Sequence, residues 1–204
     1  MIAIIDYGAG NIQSVKKALN YIGCDTFITN DKTKISNADG VILPGVGSFG
    51  DTMDSINSYG LKDSIIEYTK SGKPFLGICL GLQLLFPKSD ESPDKDGLGI
   101  FDGAVNKIPS DTGLKIPHIG WNSLDIKKQD GLFKGIGKNP YVYFVHSYFL
   151  DAKDKNIVSA QTEYGVKIDA AIENNNVFAV QFHPEKSGET GLKILKNFAD
   201  IVNG

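Results

Sequence analysis

The chain has 204 residues, 41% of them hydrophobic and 22% charged, with a formal net charge of -3 at pH 7. That is enough apolar content for one packed domain over residues 1–204, and the acidic balance, without a run of lysines or arginines, speaks against a nucleic-acid surface. Two cysteines, Cys24 and Cys79, and three histidines leave no disulfide framework and few nitrogen or sulfur donors for a metal, so a reducing cytoplasm and no metal are expected.

Residues 2–5 form a continuous apolar run, as expected of a strand covered on both faces. The next residue, Asp6, opens a Gly-rich turn through Asn11. The start of the chain lacks the basic segment of a leader, and no apolar stretch in the chain is long enough to span a membrane. Ile12, Val15, Ala18, Leu19 and Ile22 recur at helical spacing and stop at Gly23. The glycines at 8 and 10 fall short of a dinucleotide fingerprint, whose third glycine is replaced by Gln13. Strands are predicted at 25–29 and 40–43, the latter opening into Pro44-Gly45-Val46-Gly47-Ser48-Phe49-Gly50. Two helical pieces follow between 51 and 71, broken near Gly60. This strand and helix alternation predicts a flavodoxin-like, doubly wound α/β fold with a mostly parallel sheet and its ligand at the carboxyl ends of the strands.

The most informative stretch is Gly77-Ile78-Cys79-Leu80-Gly81, where an apolar strand (74–78) runs into an apolar helix (80–86). A sharp strand-to-helix turn holds its central side chain above the sheet, and flanking glycines keep the neighbouring backbone clear. A thiol there sits at a helix N-terminus, where unpaired amides favour the thiolate, and the amide of Leu80 is placed to stabilise an oxyanion. Gly45 and Gly47 allow the 44–50 loop to present a second donor. A buried, inert thiol is the plainer alternative for Cys79.

Residues 87–97 are polar and contain two prolines, reading as a mobile surface loop. Short β-rich pieces follow at 103–108, 116–127, 141–150, 157–162, 166–173 and 177–182, expected to add antiparallel strands to the sheet. A last helix is predicted from 189 to 202.

The base for a Cys79 nucleophile is found in Gln181-Phe182-His183-Pro184-Glu185. The proline biases His183 toward extended geometry, and residues two apart on an extended segment share a side, so Glu185 is placed to orient the imidazole. His118 and His146 stand among apolar residues without a carboxylate at i+2 and read as satisfied core groups.

With these residues on the page, the chain resembles the class I glutamine amidotransferases. The elbow and the His-Pro-Glu set match the whole class. The blocks at 6–11, 44–50, 117–122 and 143–148 narrow the resemblance to glutaminase subunits of imidazole glycerol phosphate synthases in histidine biosynthesis. The resemblance implies a Cys79, His183, Glu185 triad acting on L-glutamine, an oxyanion hole from the amides of Val46 or Gly47 and Leu80, and substrate contacts at Gly45, Gln83, Ser147 and Tyr148. Glu91 is a further candidate for the glutamine amino group, although Phe86-Pro87-Lys88-Ser89-Asp90-Glu91 departs from the family pattern. It also implies a (βα)₈-barrel cyclase partner that receives ammonia through a channel, with Asn11, Trp121, Tyr143 and Lys186 at or near that interface, and no cofactor. Close relatives serving the amination of cell-surface sugars, and an idle module that kept the fold, are the alternatives.

Overall fold

The computed structural model describes residues 1–8 and 11–204, so Ala9 and Gly10 of the first turn lie outside the described residues. The first half alternates as predicted: β1 (Ile2–Ile5), α1 (Ile12–Tyr21), β2 (Thr26–Thr29), α2 (Lys32–Asn37), β3 (Gly40–Gly45), α3 (Phe49–Ser58), α4 (Lys62–Lys70), β4 (Phe75–Cys79) and α5 (Leu80–Gln83). Helix α2 has too few apolar residues to show in the pattern. Asp31 starts it by accepting from the Thr33 and Lys34 amides, and Ile35 is its buried anchor.

The second half contains β5 (Lys88–Ser89), β6 (Gly103–Lys107), β7 (His118–Ser123), β8 (Asp125–Ile126), β9 (Tyr141–His146), β10 (Tyr148–Ala152), β11 (Val158–Glu163), β12 (Lys167–Asn174), β13 (Val177–Val180) and α6 (Gly188–Asn203). The main sheet is eight-stranded in the order β2-β1-β3-β4-β13-β12-β11-β8. It is parallel from β2 through β13 and antiparallel beyond.

The continuous apolar runs follow from this arrangement, because alternate residues of each central strand enter different cores. Ala3, Ile5, Val41, Leu43 and Phe75 pack with Ile35, Met53, Ile56 and Ile65 of α2, α3 and α4. Ile2, Ile4, Ile42, Leu76 and Ile78 pack with Val15 and Leu19 of α1 and with Leu195 and Phe198 of α6.

Several sequence expectations are corrected. The antiparallel additions do not all join the main sheet: β10-β6-β5 and β7-β9 form sheets of their own. The predicted strand at 141–150 breaks at Ser147, and its halves enter different sheets. The helix expected over 80–86 ends as an α-helix at Gln83, and Leu84, Leu85 and Phe86 continue as buried turn. The supposed mobile loop at 87–97 is pinned: β5 pairs with β6, the Gly97 amide bonds the Pro87 carbonyl at 3.0 Å, and Ser89 is buried.

Candidate active site

Strand β4 ends at Cys79, whose φ of 55° is a conformation that costs a non-glycine residue energy. The turn is possible because its neighbours have no side chains. A Cβ on Gly77 would lie 2.7 Å from the Gly81 carbonyl oxygen, and one on Gly81 would lie 2.0 Å from the carbonyl oxygen of Leu43. The glycines therefore let β4, α5 and β3 meet around the thiol. Gly45 pairs with Cys79 across β3 and β4, and a Cβ on it would lie 2.7 Å from Leu80 Cβ.

Sheet order supplies the imidazole. Strand β13 lies beside β4, with Val180 opposite Ile78, so the chain leaving β13 passes the elbow. His183 is extended as predicted, but Pro184–Lys186 form a 3-10 turn, so Glu185 reaches His183 by a turn and not along a strand. His183 Nδ1 stands 2.8 Å from Glu185 Oε1, and the side chain of each is almost wholly shielded from solvent. The same oxygen accepts from Asn11 Nδ2. The backbone amide of His183 bonds the Tyr143 carbonyl at 2.9 Å, and Ser187 Oγ bridges the His183 carbonyl and the Tyr143 amide.

Nδ1 is thus occupied, and among the described residues the buried Nε2 has no hydrogen-bond partner. Burial alone would lower the His183 pKa, but interaction with Cys79 and Glu185 outweighs it and raises the group to about 9.

A cavity of about 290 Å³ opens over the thiol. Val46, Gly47, Cys79, Leu80, Gln83, Glu91, Ser147, Tyr148 and His183 line it, with Pro117, Val145 and His146, which the sequence reading did not place there. Gly45 does not line it. Gly47 has φ +104°, so the loop turns there in a way open to glycine. Glu91 has a structural engagement too: its Oε2 accepts the Phe49 amide at 2.7 Å, beside Ser92 Oγ on the Gly50 amide at 3.0 Å. The 88–92 segment therefore closes the first turn of α3.

His118 and His146 are buried and face each other, Nδ1 to Nε2, at 3.0 Å. Desolvation lowers them to about 4 and about 3, so both are neutral near pH 7. Gln181, fully buried with Nε2 at 3.7 Å from Cys79 Sγ, was also missed. Its position just after β13, two residues before His183, brings it to the elbow although residues 181 and 182 form a bend.

The four residues expected at a partner surface fall together. Trp121 and Tyr143 oppose each other on β7 and β9 with ring centroids 6.2 Å apart, and Lys186 Nζ lies 5.9 Å from the Tyr143 centroid. Asn11 joins them through Glu185. Trp121 is 55% exposed, and Ile119 and Tyr141 beside it are 59% and 60% exposed. Large apolar side chains open to water together mark an interaction surface.

The sequence model of the class-I glutamine amidotransferases matches residues 3–202. The chain is 54% identical over 202 residues to the imidazole glycerol phosphate synthase subunit HisH of Caldanaerobacter subterraneus subsp. tengcongensis, covering 99% of this chain and 98% of that one. It is 48% identical over 202 residues to the same subunit of Methanothermobacter thermautotrophicus, covering 99% of each. Among solved structures, it is similar in fold to PurLQS from Thermotoga maritima, with a TM-score of 0.76, 23% identity, and coverage of 98% of this chain and 97% of that one.

Proposed function

We propose, from the premise that this chain belongs to the class-I glutamine amidotransferase family and within it to the imidazole glycerol phosphate synthase subunits, a residue-by-residue account of how it releases ammonia. It is the glutaminase subunit of that synthase, an enzyme component of histidine biosynthesis. Its substrate is L-glutamine, and a partner subunit takes up the product.

Cys79 Sγ attacks the side-chain amide carbon of glutamine. The carbonyl oxygen becomes an oxyanion held by the amides of Leu80 and of Val46 or Gly47, donors of a kind whose individual loss costs about 100- to 1000-fold in rate. His183, charged through Nε2, passes its proton to the departing nitrogen as the tetrahedral species collapses to a glutamyl thioester and ammonia. The neutral ring then takes a proton from water, which attacks the thioester and releases glutamate and the thiolate. Glu185 holds Nδ1 and stabilises the imidazolium. Gln83, Glu91, Ser147 and Tyr148 bind the α-amino and carboxylate end of glutamine, with Gly45 shaping the floor from beneath.

The partner is a (βα)₈-barrel cyclase that docks on the face of Trp121, Tyr143 and Lys186, in the cytoplasm. What supports this docking face is the direct tie between it and the base: the Tyr143 backbone bonds the His183 amide, and Asn11 bonds the carboxylate that orients the ring. A partner that moves Tyr143 or Asn11 therefore acts on His183 itself.

One observation carries the mechanism: a cysteine at a positive-φ elbow and a carboxylate-bound imidazole border one cavity together with the expected substrate groups. The test is glutamine hydrolysis with and without the cyclase subunit of the same organism and its ligand, with Cys79→Ala as blank. Strong stimulation by the liganded cyclase is expected. A competent cyclase without effect would point to another ammonia acceptor, and hydrolysis persisting in Cys79→Ala would overturn the nucleophile.

A further inference from the structure

Gln181 is buried against the nucleophile, and the mechanism above leaves it idle. What it does there depends on which end of its amide faces the sulfur. An N–H group stabilises a thiolate, whereas a carbonyl oxygen repels one.

A backbone carbonyl settles the matter. The carbonyl oxygen of Tyr148 has no hydrogen to give, so the Gln83 side-chain atom 2.9 Å from it must be the nitrogen Nε2. That nitrogen also lies 3.0 Å from the far end of Gln181, which must therefore be the oxygen. Only the nitrogen of Gln181 is left for Cys79 Sγ, at 3.7 Å, within the reach of a hydrogen bond to sulfur. Turning Gln181 over would set two amide nitrogens face to face. Turning Gln83 over would set its oxygen against the Tyr148 carbonyl.

The second lone pair of that carbonyl is used as well. It lies 2.9 Å from His146 Nδ1, which must carry the hydrogen. His146 Nε2 is then an acceptor, and it takes the hydrogen of His118 Nδ1 at 3.0 Å. The Tyr148 carbonyl thus orders the polarity of Gln83, Gln181 and His146 behind the thiol, and a neutral His146 is what can take the His118 hydrogen.

We propose that Gln181 is a catalytic hydrogen-bond donor to the Cys79 sulfur, locked in the donating orientation by Gln83 and the Tyr148 carbonyl. The thiolate then has an imidazolium on one side and an amide N–H on the other. The amide cannot lose its proton during the reaction, so it still supports the sulfur after His183 has given its proton to ammonia. It also supports the sulfur as leaving group when the thioester is hydrolysed. Stabilising this thiolate is a distinct task from holding the oxyanion or the substrate. The inference rests on Cys79 being the nucleophile.

The test compares wild-type, Gln181→Met and Gln181→Glu subunits, each in complex with the cyclase, in the rate of Cys79 alkylation by iodoacetamide against pH and in glutamine hydrolysis. The other titratable groups around the sulfur, His183, Tyr7, Glu91 and His146, are common to all three proteins. Met keeps the length and loses the donor. Its alkylation profile is expected to move up by about one pH unit and its kcat to fall about tenfold with KM little changed, the size of one charge-assisted hydrogen bond. Glu, once ionised, puts an oxygen without a hydrogen against the sulfur, so above its own pKa it is expected to move both readouts further the same way, and it keeps the shape of the native side chain should Met disturb packing. A wild-type alkylation profile in either folded variant would overturn the proposal. Failure of the nucleophile assignment shows separately, as glutamine hydrolysis retained in Cys79→Ala.

Discussion

Glu185 Oε1 and His183 Nδ1 meet at 2.8 Å inside the protein, and Asn11 Nδ2 donates to the same oxygen. Each donor leans on a single negative charge. Glu185→Gln keeps an oxygen for both donors and removes the charge. The pKa of His183 should fall from its raised value, because the carboxylate is one of the groups that raise it. The expected result is a kcat lower by about 10- to 100-fold, with the alkaline limb of the pH–kcat profile moved to lower pH. An unchanged profile would deny Glu185 its orienting role.

Folding stability should depend on pH from both sides. His183 is raised to about 9, so its contribution is complete below the unfolded value near 6.5 and is lost as pH rises through about 9. His118 and His146 are lowered to about 4 and about 3, so theirs is complete above 6.5 and is lost as pH falls toward those values. Urea midpoints measured from pH 4 to 10 should therefore peak near 6.5. Cys79→Ala should flatten the alkaline side, since Cys79 contributes to raising His183. A stability that keeps rising from 6.5 to 9 would contradict the charge state assigned to His183.

Two glycine substitutions should behave oppositely. A Cβ on Gly45 would stand 2.7 Å from Leu80 Cβ and 2.9 Å from the Gly81 backbone nitrogen, neither of which can swing away. Gly45→Ala should cost about 1–3 kcal/mol and disturb hydrolysis. Gly137 has nothing within 4 Å and no positive φ, so Gly137→Ala should be neutral or stabilising by up to about 1 kcal/mol. Chemical denaturation of both decides it.

Glu91 has two tasks that substitution can separate. Gln retains an acceptor for the Phe49 amide but no charge for the substrate amino group, so Glu91→Gln should raise KM for glutamine and leave the melting temperature in place. Glu91→Ala should in addition lower stability by about 1–3 kcal/mol, the usual cost of leaving a half-buried amide, here that of Phe49, without its acceptor. A wild-type KM in both would remove Glu91 from the substrate site.

Trp121 is the largest exposed apolar group of the proposed partner face. Trp121→Ala should weaken binding of the cyclase by about 30-fold or more, the effect of losing an interface hot spot, while leaving the unstimulated hydrolysis as it was. Titration calorimetry together with activity at saturating cyclase checks both halves.

Much of the active site was legible before any coordinates. The join of an apolar strand to an apolar helix around one cysteine, with glycine on either side, locates the elbow, because burial pattern and backbone permissiveness are local properties. Glu185 at i+2 from His183 was likewise readable, although a 3-10 turn brings the two together. The pinning of 87–97 was not legible, since its polar residues find partners far along the chain, among them Glu91 on Phe49 and Asp90 on the Lys107 amide. For Trp121, size alone suggests a core, the resemblance pointed to a partner surface, and its place on β7 leaves it exposed.

What the sequence by itself determined is the set of local elements and the chemical types they carry: the elbow, the alternating parallel half, the His-Pro-Glu segment. What only the tertiary structure decided is which distant groups meet and which end of each amide faces its neighbour. Strand β13 lies next to β4, so the chain leaving it brings His183 to the cavity that Cys79 lines, while His118 and His146 are tied to each other. The Tyr148 carbonyl, a group every residue type possesses, turns Gln83 and then Gln181 toward the sulfur. Side-chain periodicity records burial along one element, but an amide's orientation is set by donors and acceptors that only the packed sheet brings within 3 Å of each other.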